Sequence, residues 1–216
     1  MLETDNLCCV RGERTLFAGL RIRVEGGNCL QVAGENGAGK SSLLRILVGL
    51  LAPAAGEVRW NGEPIGRLRE AYWETLAYVG HLNGIKDDLS ALENLMVSAA
   101  LAGTPAPASE ALAALERVGL ASRADLATRQ LSQGQKRRVA IARLCLAPRA
   151  RLWILDEPFN ALDTQGIEVV AAMIAQHVER GGLVVLTSHL QVGLPAGAQW
   201  LQLGGERTAA AIRGDG

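Results

Sequence analysis

The stretch GENGAGKS, Gly34 to Ser41, places glycines, a lysine and a serine at the spacing G-x-x-x-x-G-K-[ST]. Glycines let a loop wrap so that backbone N–H groups point at an anion, and a following helix adds its positive end. Lys40 is then placed to reach the β- and γ-phosphates of a nucleotide, and the Ser41 hydroxyl to bind Mg²⁺. The strand-like CLQVAG precedes the loop and the helical SSLLRILVGLL completes it. This context predicts a phosphate-binding loop, whose binding residues are Asn36, Gly37, Ala38, Gly39, Lys40, Ser41 and Ser42.

Two acidic residues, Asp156 and Glu157, follow the apolar run LWIL. A carboxylate at the end of a buried strand beside the loop strand can hold Mg²⁺ directly or through water. Glu157, one residue further on, is placed to polarise an attacking water molecule. A solvated strand end is the alternative, and the phosphate-binding loop makes it the weaker explanation.

The stretch QLSQGQKRR, residues 130–138, contains no acidic residue, histidine or cysteine. Ser132 can cap the helix that starts here, and Gly134 lets the backbone approach another group closely. A hydroxyl, bare N–H groups and a helix dipole together predict a second anion site. The cations from Lys136 to Arg138 fit an ordinary basic helix face, which we expect to be solvated.

One histidine, His189, follows the strand-like LVVLTS. This position is the carboxyl end of a sheet strand, where ligands bind in open α/β sheets. A surface histidine without a ligand is the alternative.

Composition limits the classes of protein that the chain can represent. Its 216 residues are enough for one sizeable core, and 49% of them are hydrophobic. The formal net charge of zero gives no electrostatic case for nucleic acid or anionic lipid as the main partner. The four cysteines have no paired spacing, which indicates a reduced cytosolic protein. The start MLETDNLCCV lacks the layout of a secretory signal, and the apolar run ILVGLLAPAA is too short to cross a bilayer.

The predicted elements alternate along the chain. The first sixty-odd residues have strand character, as in LRIRV and in EVRW, which an NG turn follows. Alanine- and leucine-rich helical sequence runs from about Leu89 to Leu120. Strands return in RLWILDEP and LVVLTSH, with a helix between them from about Thr164 to Arg180. Such alternation predicts a mainly parallel sheet that is covered on both faces.

The order of these motifs identifies a family. The phosphate-binding loop, LSQGQ, LWILDEP, NALD and TSH resemble in order and spacing the motifs of the ATP-binding cassette (ABC) ATPases, whose signature is LSGGQ. The resemblance covers nearly the whole chain, and the NKxD motif of GTPases is absent. It implies an α/β P-loop NTPase with a mainly parallel core sheet, an N-terminal antiparallel β subdomain and a helical insertion at about 82–147. We expect one ABC ATPase domain over 1–216, with ATP and Mg²⁺ bound.

The resemblance also implies an assembly and roles for the site residues. Two copies pack head to tail, and each ATP lies between one phosphate-binding loop and the opposite signature, which supplies Ser132, Gly134 and Gln135. His189 is implied to contact the γ-phosphate and hold the water with Glu157. The signature thus serves the nucleotide of the partner copy. Asp163 is implied to act across the seam between the copies.

Two positions depart from the common pattern of the family. The aromatic residue that usually stacks on adenine falls at Arg11, whose guanidinium can also stack on a base; Phe17 is the alternative. The glutamine that usually reaches toward Mg²⁺ falls at His81. Histidine is a poor ligand for a hard cation, but it can hydrogen-bond water. An ordinary loop histidine is the alternative.

The stretch YVGHLNGIKDDLSALENL, with RTLFAGL and LSQGQKRRVAIARL, looks like the ATPases of bacterial cytochrome c maturation systems, the haem exporter ATP-binding family. That resemblance implies a peripheral subunit on the cytoplasmic face of the inner membrane. It would energise separately encoded membrane subunits and drive release of a haem-loaded chaperone. The three histidines and the absence of CxxCH predict no direct haem site.

Two other functions share these motifs. The chain could instead serve an exporter of another small molecule or lipid. A soluble ABC ATPase that acts on nucleic acid or ribosomes is a further alternative, but such proteins usually carry two cassettes or a long coiled coil. The sequence shows neither feature, nor a basic stripe.

Overall fold

The computed structural model describes residues 1–190, 193–195, 197–204 and 213–214. The strands are β1 (Leu2–Arg11), β2 (Arg14–Val24), β3 (Cys29–Gly34), β4 (Ala55–Trp60), β5 (Glu63–Pro64), β6 (Leu76–Val79), β7 (Leu152–Leu155), β8 (Leu183–Thr187), β9 (Gln199–Leu203) and β10 (Arg213–Gly214). The α-helices are α1 (Lys40–Leu47), α2 (Ile65–Leu68), α3 (Glu70–Glu74), α4 (Ala91–Leu101), α5 (Ala108–Arg117), α6 (Gln133–Ala142) and α7 (Thr164–Glu179). Short 3₁₀ turns lie at Ala121–Arg123, Thr128–Gln130 and Arg143–Leu146.

An antiparallel sheet with the order β2-β1-β4-β5 covers one side of the phosphate-binding loop. Buried and exposed residues alternate along β2, because one face of the sheet packs on the core. The predicted NG turn joins β4 to β5, with both Asn61 (φ 52°) and Gly62 (φ 87°) in the left-handed region that tight hairpins need. The predicted antiparallel sheet is therefore confirmed.

A second sheet has the order β10-β9-β3-β8-β7-β6, and its neighbours from β9 to β6 are parallel. Every residue of β7 and β8 is buried, which is expected when both faces of a parallel sheet are covered. The predicted mainly parallel core is confirmed. The strands β6 and β9 were not predicted from the sequence: LAYV is only four residues long, and QWLQL mixes polar and apolar residues.

The helical part of the chain contains α4, α5 and α6, which pack against one another. Ser90 with Glu93 at the start of α4, and Ser132 with Gln135 at the start of α6, form complete capping boxes that fix both helix starts. Residues 82–90 form a loop and not a helix, so the helices of the insertion begin later than residue 82. The limits 82–147 of a subdomain stay a prediction. In the described residues, no helix is long and apolar enough to cross a membrane.

Candidate active site

The phosphate-binding loop connects β3 to α1 at the centre of the parallel sheet. Gly34, Gly37 and Gly39 all have positive φ angles, of 149°, 82° and 102°, which residues with a Cβ rarely adopt. A Cβ on Gly34 would lie 2.6 Å from the carbonyl oxygen of Leu203 on β9. Gly39 is the N-cap of α1 and has no side-chain cap. The loop shape thus requires these glycines and presents the first N–H groups of α1 without a competing side-chain acceptor.

Lys40 lies inside the loop and is only 7% exposed. Its Nζ donates hydrogen bonds to the carbonyl oxygens of Gly34 (2.7 Å) and Glu35 (3.1 Å). These two acceptors hold a cation within the concave side of the loop. The lysine is therefore positioned where the sequence predicts a phosphate.

The remaining predicted loop residues lie as follows: Asn36, Gly37 and Ser41 are exposed, Ser42 is half-buried, and Ala38 and Gly39 are buried. The end of β1 lies near the start of α1, because the thiol of Cys9 on β1 is close to the Ser42 hydroxyl. Burial raises the pKa of this thiol, and the Arg11 guanidinium and the Ser42 hydroxyl partly offset that rise. Arg11 is exposed at the end of β1, whereas Phe17 is 2% exposed and packs in the core. Of the two candidates for stacking on a base, only Arg11 is accessible.

The acidic strand is not the direct neighbour of the loop strand, because β8 lies between β7 and β3; the parallel order still brings the end of β7 and the phosphate-binding loop to the same edge of the sheet. Asp156 is 2% exposed, and one of its carboxylate oxygens accepts a hydrogen bond from Thr187 Oγ1 at 2.8 Å. The same hydroxyl accepts a hydrogen bond from the backbone N–H of Glu157 at 2.8 Å. His189 Nε2 lies 3.2 Å from Glu157 Oε1. The structure thus brings together Asp156, Glu157 and His189, as the motifs predict.

Sequence reasoning missed Thr187, which joins Asp156 to Glu157. It is fully buried at the end of β8, where the other strand residues are apolar. A single hydroxyl at the end of an apolar buried strand is the signal that identifies it. Such a group needs a partner, and this partner is the acidic strand end.

The oxygen donors of the site fit Mg²⁺. Asp156 and the exposed hydroxyl of Ser41 offer hard oxygen ligands, and magnesium sites commonly use one or two carboxylates together with substrate phosphates and water. In the described part of the chain, no group of three or more His, Cys, Asp or Glu side chains could hold a metal by itself. The set therefore suits an ion that is shared with a phosphate.

His81 lies near the two acidic residues, Asp156 and Glu157. It lines a cavity of about 320 Å³ together with Gln133, Asp156 and Glu157. His81 is exposed, and the loop around it approaches the carboxylates from the helical part of the chain. The geometry places His81 on the wall of the candidate active site, while its part in metal binding stays a prediction.

The signature begins α6. Ser132 Oγ accepts a hydrogen bond from Gln135 N at 3.2 Å, and the Gln135 side chain accepts one from Ser132 N at 3.0 Å. A Cβ on Gly134 would lie 2.3 Å from the carbonyl oxygen of Ala161, so this glycine makes room for the neighbouring NALD turn. Asp163 caps α7 through a 2.9 Å hydrogen bond from Gly166 N.

The expectation that Lys136 to Arg138 form a solvated face is wrong. Arg137 is 4% exposed, and the Lys136 side chain is 14% exposed and pairs with Asp87. Arg138 is half-buried and donates a hydrogen bond to the carbonyl oxygen of Val118 at 3.4 Å. The run is buried or half-buried because α6 packs against α4, α5 and α7, which no local pattern could indicate.

The sheet order, the phosphate-binding loop and the acidic strand end define an ATP-binding cassette. The ABC transporter family model matches residues 17–160. A cytochrome c biogenesis ATP-binding export protein CcmA from Dechloromonas aromatica is 56% identical over 91% of this chain and 96% of that relative. A CcmA protein from Pseudomonas aeruginosa is 50% identical over 90% of this chain and 95% of its own length. The solved dimeric structure of a bacterial ABC transporter cassette matches with a TM-score of 0.82, at 25% identity and over 94% of each chain. The chain belongs to the ABC transporter ATPases and, within them, to the CcmA type.

Proposed function

We propose that this chain is the ATP-hydrolysing subunit of a bacterial cytochrome c biogenesis export system and energises separately encoded membrane subunits. The observation that carries the proposal is the 3.2 Å contact between Glu157 and His189, which follow β7 and β8 at the edge of the parallel sheet where the phosphate-binding loop also begins. A carboxylate with a histidine partner at this place can activate water for attack on a phosphate. The names of the relatives supply the cytochrome c part of the proposal.

Nucleotide binding starts at the loop. The N–H groups from Asn36 to Ser42 surround the phosphates, and Lys40 donates to phosphate oxygens. Ser41 and Asp156 would hold Mg²⁺, which supplies positive charge to the phosphates. Arg11 would stack on the base.

Hydrolysis uses the acidic strand end. Glu157 accepts a proton from a water molecule whose oxygen forms a bond to the γ-phosphorus, while the bond from that phosphorus to the ADP oxygen breaks. His189 holds the carboxylate and donates to the γ-phosphate. The proton on Glu157 then passes to the departing phosphate, which restores the carboxylate.

A second copy of the chain would complete each site. The start of α6 offers Ser132, Gly134 and Gln135 to the γ-phosphate of the opposite nucleotide, and Asp163 lies on the adjoining turn. The helix dipole and first-turn N–H groups of α6 suit an anion. The solved ABC cassette with a similar fold is dimeric, which supports the same arrangement here.

The membrane subunits would bind near His81 and the helical region at 89–120. This region exposes apolar side chains: Leu82 next to His81 is 83% exposed, and Leu101 at the end of α4 is 84% exposed. The chain would then lie peripherally on the cytoplasmic face of the inner membrane. In this scheme ATP hydrolysis drives release of a haem-loaded chaperone, and this chain itself does not bind haem.

The hydrolysis proposal is tested with Glu157→Gln. We expect steady-state ATP hydrolysis to fall at least about a hundred-fold, because the general base is lost, while ATP binding persists. The variant should accumulate as an ATP-bound dimer in light scattering. The control is Glu168→Gln, which removes an exposed carboxylate on α7. Normal turnover by Glu157→Gln would exclude the assigned base.

The cytochrome c proposal is tested in the source bacterium. Replacing the chromosomal copy with Glu157→Gln should abolish covalent haem attachment to c-type cytochromes, measured by haem staining of separated proteins. A tagged wild-type chain should co-purify haem-handling membrane subunits. Normal c-type cytochromes in the variant would favour a different exporter, and co-purifying ribosomes or DNA would favour the soluble alternative.

A further inference from the structure

Arg137 lies in the second turn of α6, just after the capping box, and is 4% exposed. Burying a guanidinium is costly, and replacing a buried ion with a well-packed apolar side chain often stabilises a fold. Core stability alone therefore gives no reason for an arginine at this position. Its contacts indicate what it does instead.

The guanidinium binds two segments that are distant in sequence. Nη1 donates to the carbonyl oxygen of Gly80 at 2.8 Å and to Asn83 Oδ1 at 3.2 Å. Nη2 donates to the carbonyl oxygens of both Asp156 and Glu157. One planar fork thus joins α6, the loop around His81 and the end of β7.

The electrostatic surroundings fit the same role. Burial lowers the pKa of Arg137, and Arg143 adds to this effect, whereas Asp156, Glu157 and Tyr78 oppose it. Arginine remains protonated in proteins, so the site holds a permanent cation beside both carboxylates. The charge of Arg137 depends on the acidic strand end for its compensation.

The backbone at Glu157 needs such support. Its φ is 52°, a left-handed conformation that is strained for a residue with a Cβ and that persists only where neighbouring groups fix it. Thr187 accepts a hydrogen bond from the N–H of Glu157 at 2.8 Å, and Arg137 donates to its carbonyl oxygen at 3.0 Å. The two side chains hold the residue from both sides, and its carboxylate reaches His189.

We propose that Arg137 is a positioning residue for hydrolysis: it fixes the backbone of Glu157 and makes the placement of that carboxylate depend on the loop at Gly80–Asn83 and on α6. This inference rests on the proposed function. Arg137 is not itself assigned any contact with the nucleotide. It transmits the position of the loop and of the signature helix to the catalytic base.

The test measures ATP turnover by the purified full-length chain with Arg137→Ala and Arg137→Gln. We expect kcat to fall about thirty-fold or more, because small displacements of a catalytic group cost up to about a hundred-fold, while KM for ATP changes less than about twofold. Millimolar methylguanidinium should restore part of the kcat of Arg137→Ala, whereas equal methylammonium should not, because only the planar cation reproduces the fork.

The matched control is Arg143→Ala. Arg143 is a half-buried arginine that donates to the carbonyl oxygens of Asn83 (2.8 Å) and Gly84 (3.5 Å), but no hydrogen bond joins it to Asp156 or Glu157 in the described residues. We expect the Arg143→Ala variant to have a lower melting temperature, as Arg137→Ala does, but its kcat should fall less than about threefold.

The inference is overturned if kcat of both Arg137 variants stays near the wild-type value, if their KM rises in step with the loss of kcat, or if Arg143→Ala loses kcat equally. Arg137→Gln keeps two N–H donors and serves if Arg137→Ala fails to fold. If the wild-type chain hydrolyses ATP and Glu157→Gln does not, a failure of the Arg137 test leaves the proposed function intact. A wild-type chain without ATPase activity overturns both.

Discussion

The starts of α1 and α6 are both predicted to bind phosphate, yet they are built differently. Gly39 begins α1 in a left-handed conformation and offers no side chain to the helix N–H groups. Ser132 begins α6 in an extended conformation, and its hydroxyl already accepts from Gln135 N. The first start depends on a ligand for its N–H groups, whereas the second is partly satisfied within its own chain.

This difference suits two separate functions, nucleotide binding at α1 and recognition of the partner's nucleotide at α6. The loop before α1 includes its own cation, Lys40, and carries most of the binding energy for the nucleotide in the proposed scheme. At the start of α6, by contrast, the first cation, Lys136, already pairs with Asp87, and the capping box satisfies part of the helix start, which suits a surface that meets its anion only when a partner copy arrives. A helix start that recognises a transient partner must hold its shape between encounters.

The strongest test of the comparison is Lys40→Ala. Removing the cation from the loop should weaken ATP binding by about 2 kcal/mol, or roughly thirty-fold, because a hydrogen bond to a charged group is lost. Equilibrium binding of a fluorescent ATP analogue measures this. Arg45→Ala removes an exposed cation from the same helix and should leave binding within about twofold. Equal losses of ATP affinity in the two variants would mean that Lys40 does not bind the nucleotide directly.

The close approach at α6 is tested with Gly134→Ala. The added Cβ would lie 2.3 Å from the Ala161 carbonyl oxygen, so the free energy of unfolding should fall by about 2 kcal/mol. Urea denaturation measures it. Gly66→Ala is the control, since a Cβ there meets no atom within 4 Å. An unchanged midpoint for Gly134→Ala would mean that the NALD turn does not pack on α6.

Comparing Ser132→Ala with Ser90→Ala tests whether the start of α6 contacts the nucleotide of a partner copy. Each variant removes one capping box and should cost about 1 kcal/mol of stability. Only Ser132→Ala should also lower ATP hydrolysis, with ATP binding to the isolated chain unchanged. Turnover measured against protein concentration separates the two. A similar loss in both variants would reduce Ser132 to an ordinary cap.

The smallest effect is expected at the hairpin beside α1. Arg11→Ala should raise KM for ATP about threefold, because a stacked guanidinium contributes on the order of 0.5–1 kcal/mol. Arg14, its partner across the hairpin, is also exposed, and Arg14→Ala is the control. If both substitutions leave KM unchanged, neither guanidinium contacts the base.

The residues whose place in the fold the sequence could predict are those that depend on near neighbours along the chain. Gly34 to Ser41 define a loop by local spacing, and Ser132 was predicted to cap the helix that starts directly after it. Asp156 could be located because it directly follows a buried strand. In each case the spacing between residues carries the physical constraint.

What the sequence could not provide depends on contacts between distant segments. Arginine is usually a surface residue, so the sequence gives no sign that Arg137 is buried. Its burial results from contacts with the Gly80–Asn83 loop and with the end of β7. Likewise, Gly134 suggested a close approach, but its neighbour in this chain, Ala161, lies more than twenty residues away along the sequence. The strand β6 was missed because its pairing with β7 fixes it more than its short sequence does.

The position of β3 has a consequence for biosynthesis. Its two hydrogen-bonding neighbours, β8 and β9, are among the last strands to be translated, although β3 belongs to the first. While a ribosome is still making the middle of the polypeptide, the strand that bears the glycine-rich loop has neither flanking strand. The strand that carries the phosphate-binding loop therefore gains its two neighbours in the sheet only after β8 and β9 have been synthesised.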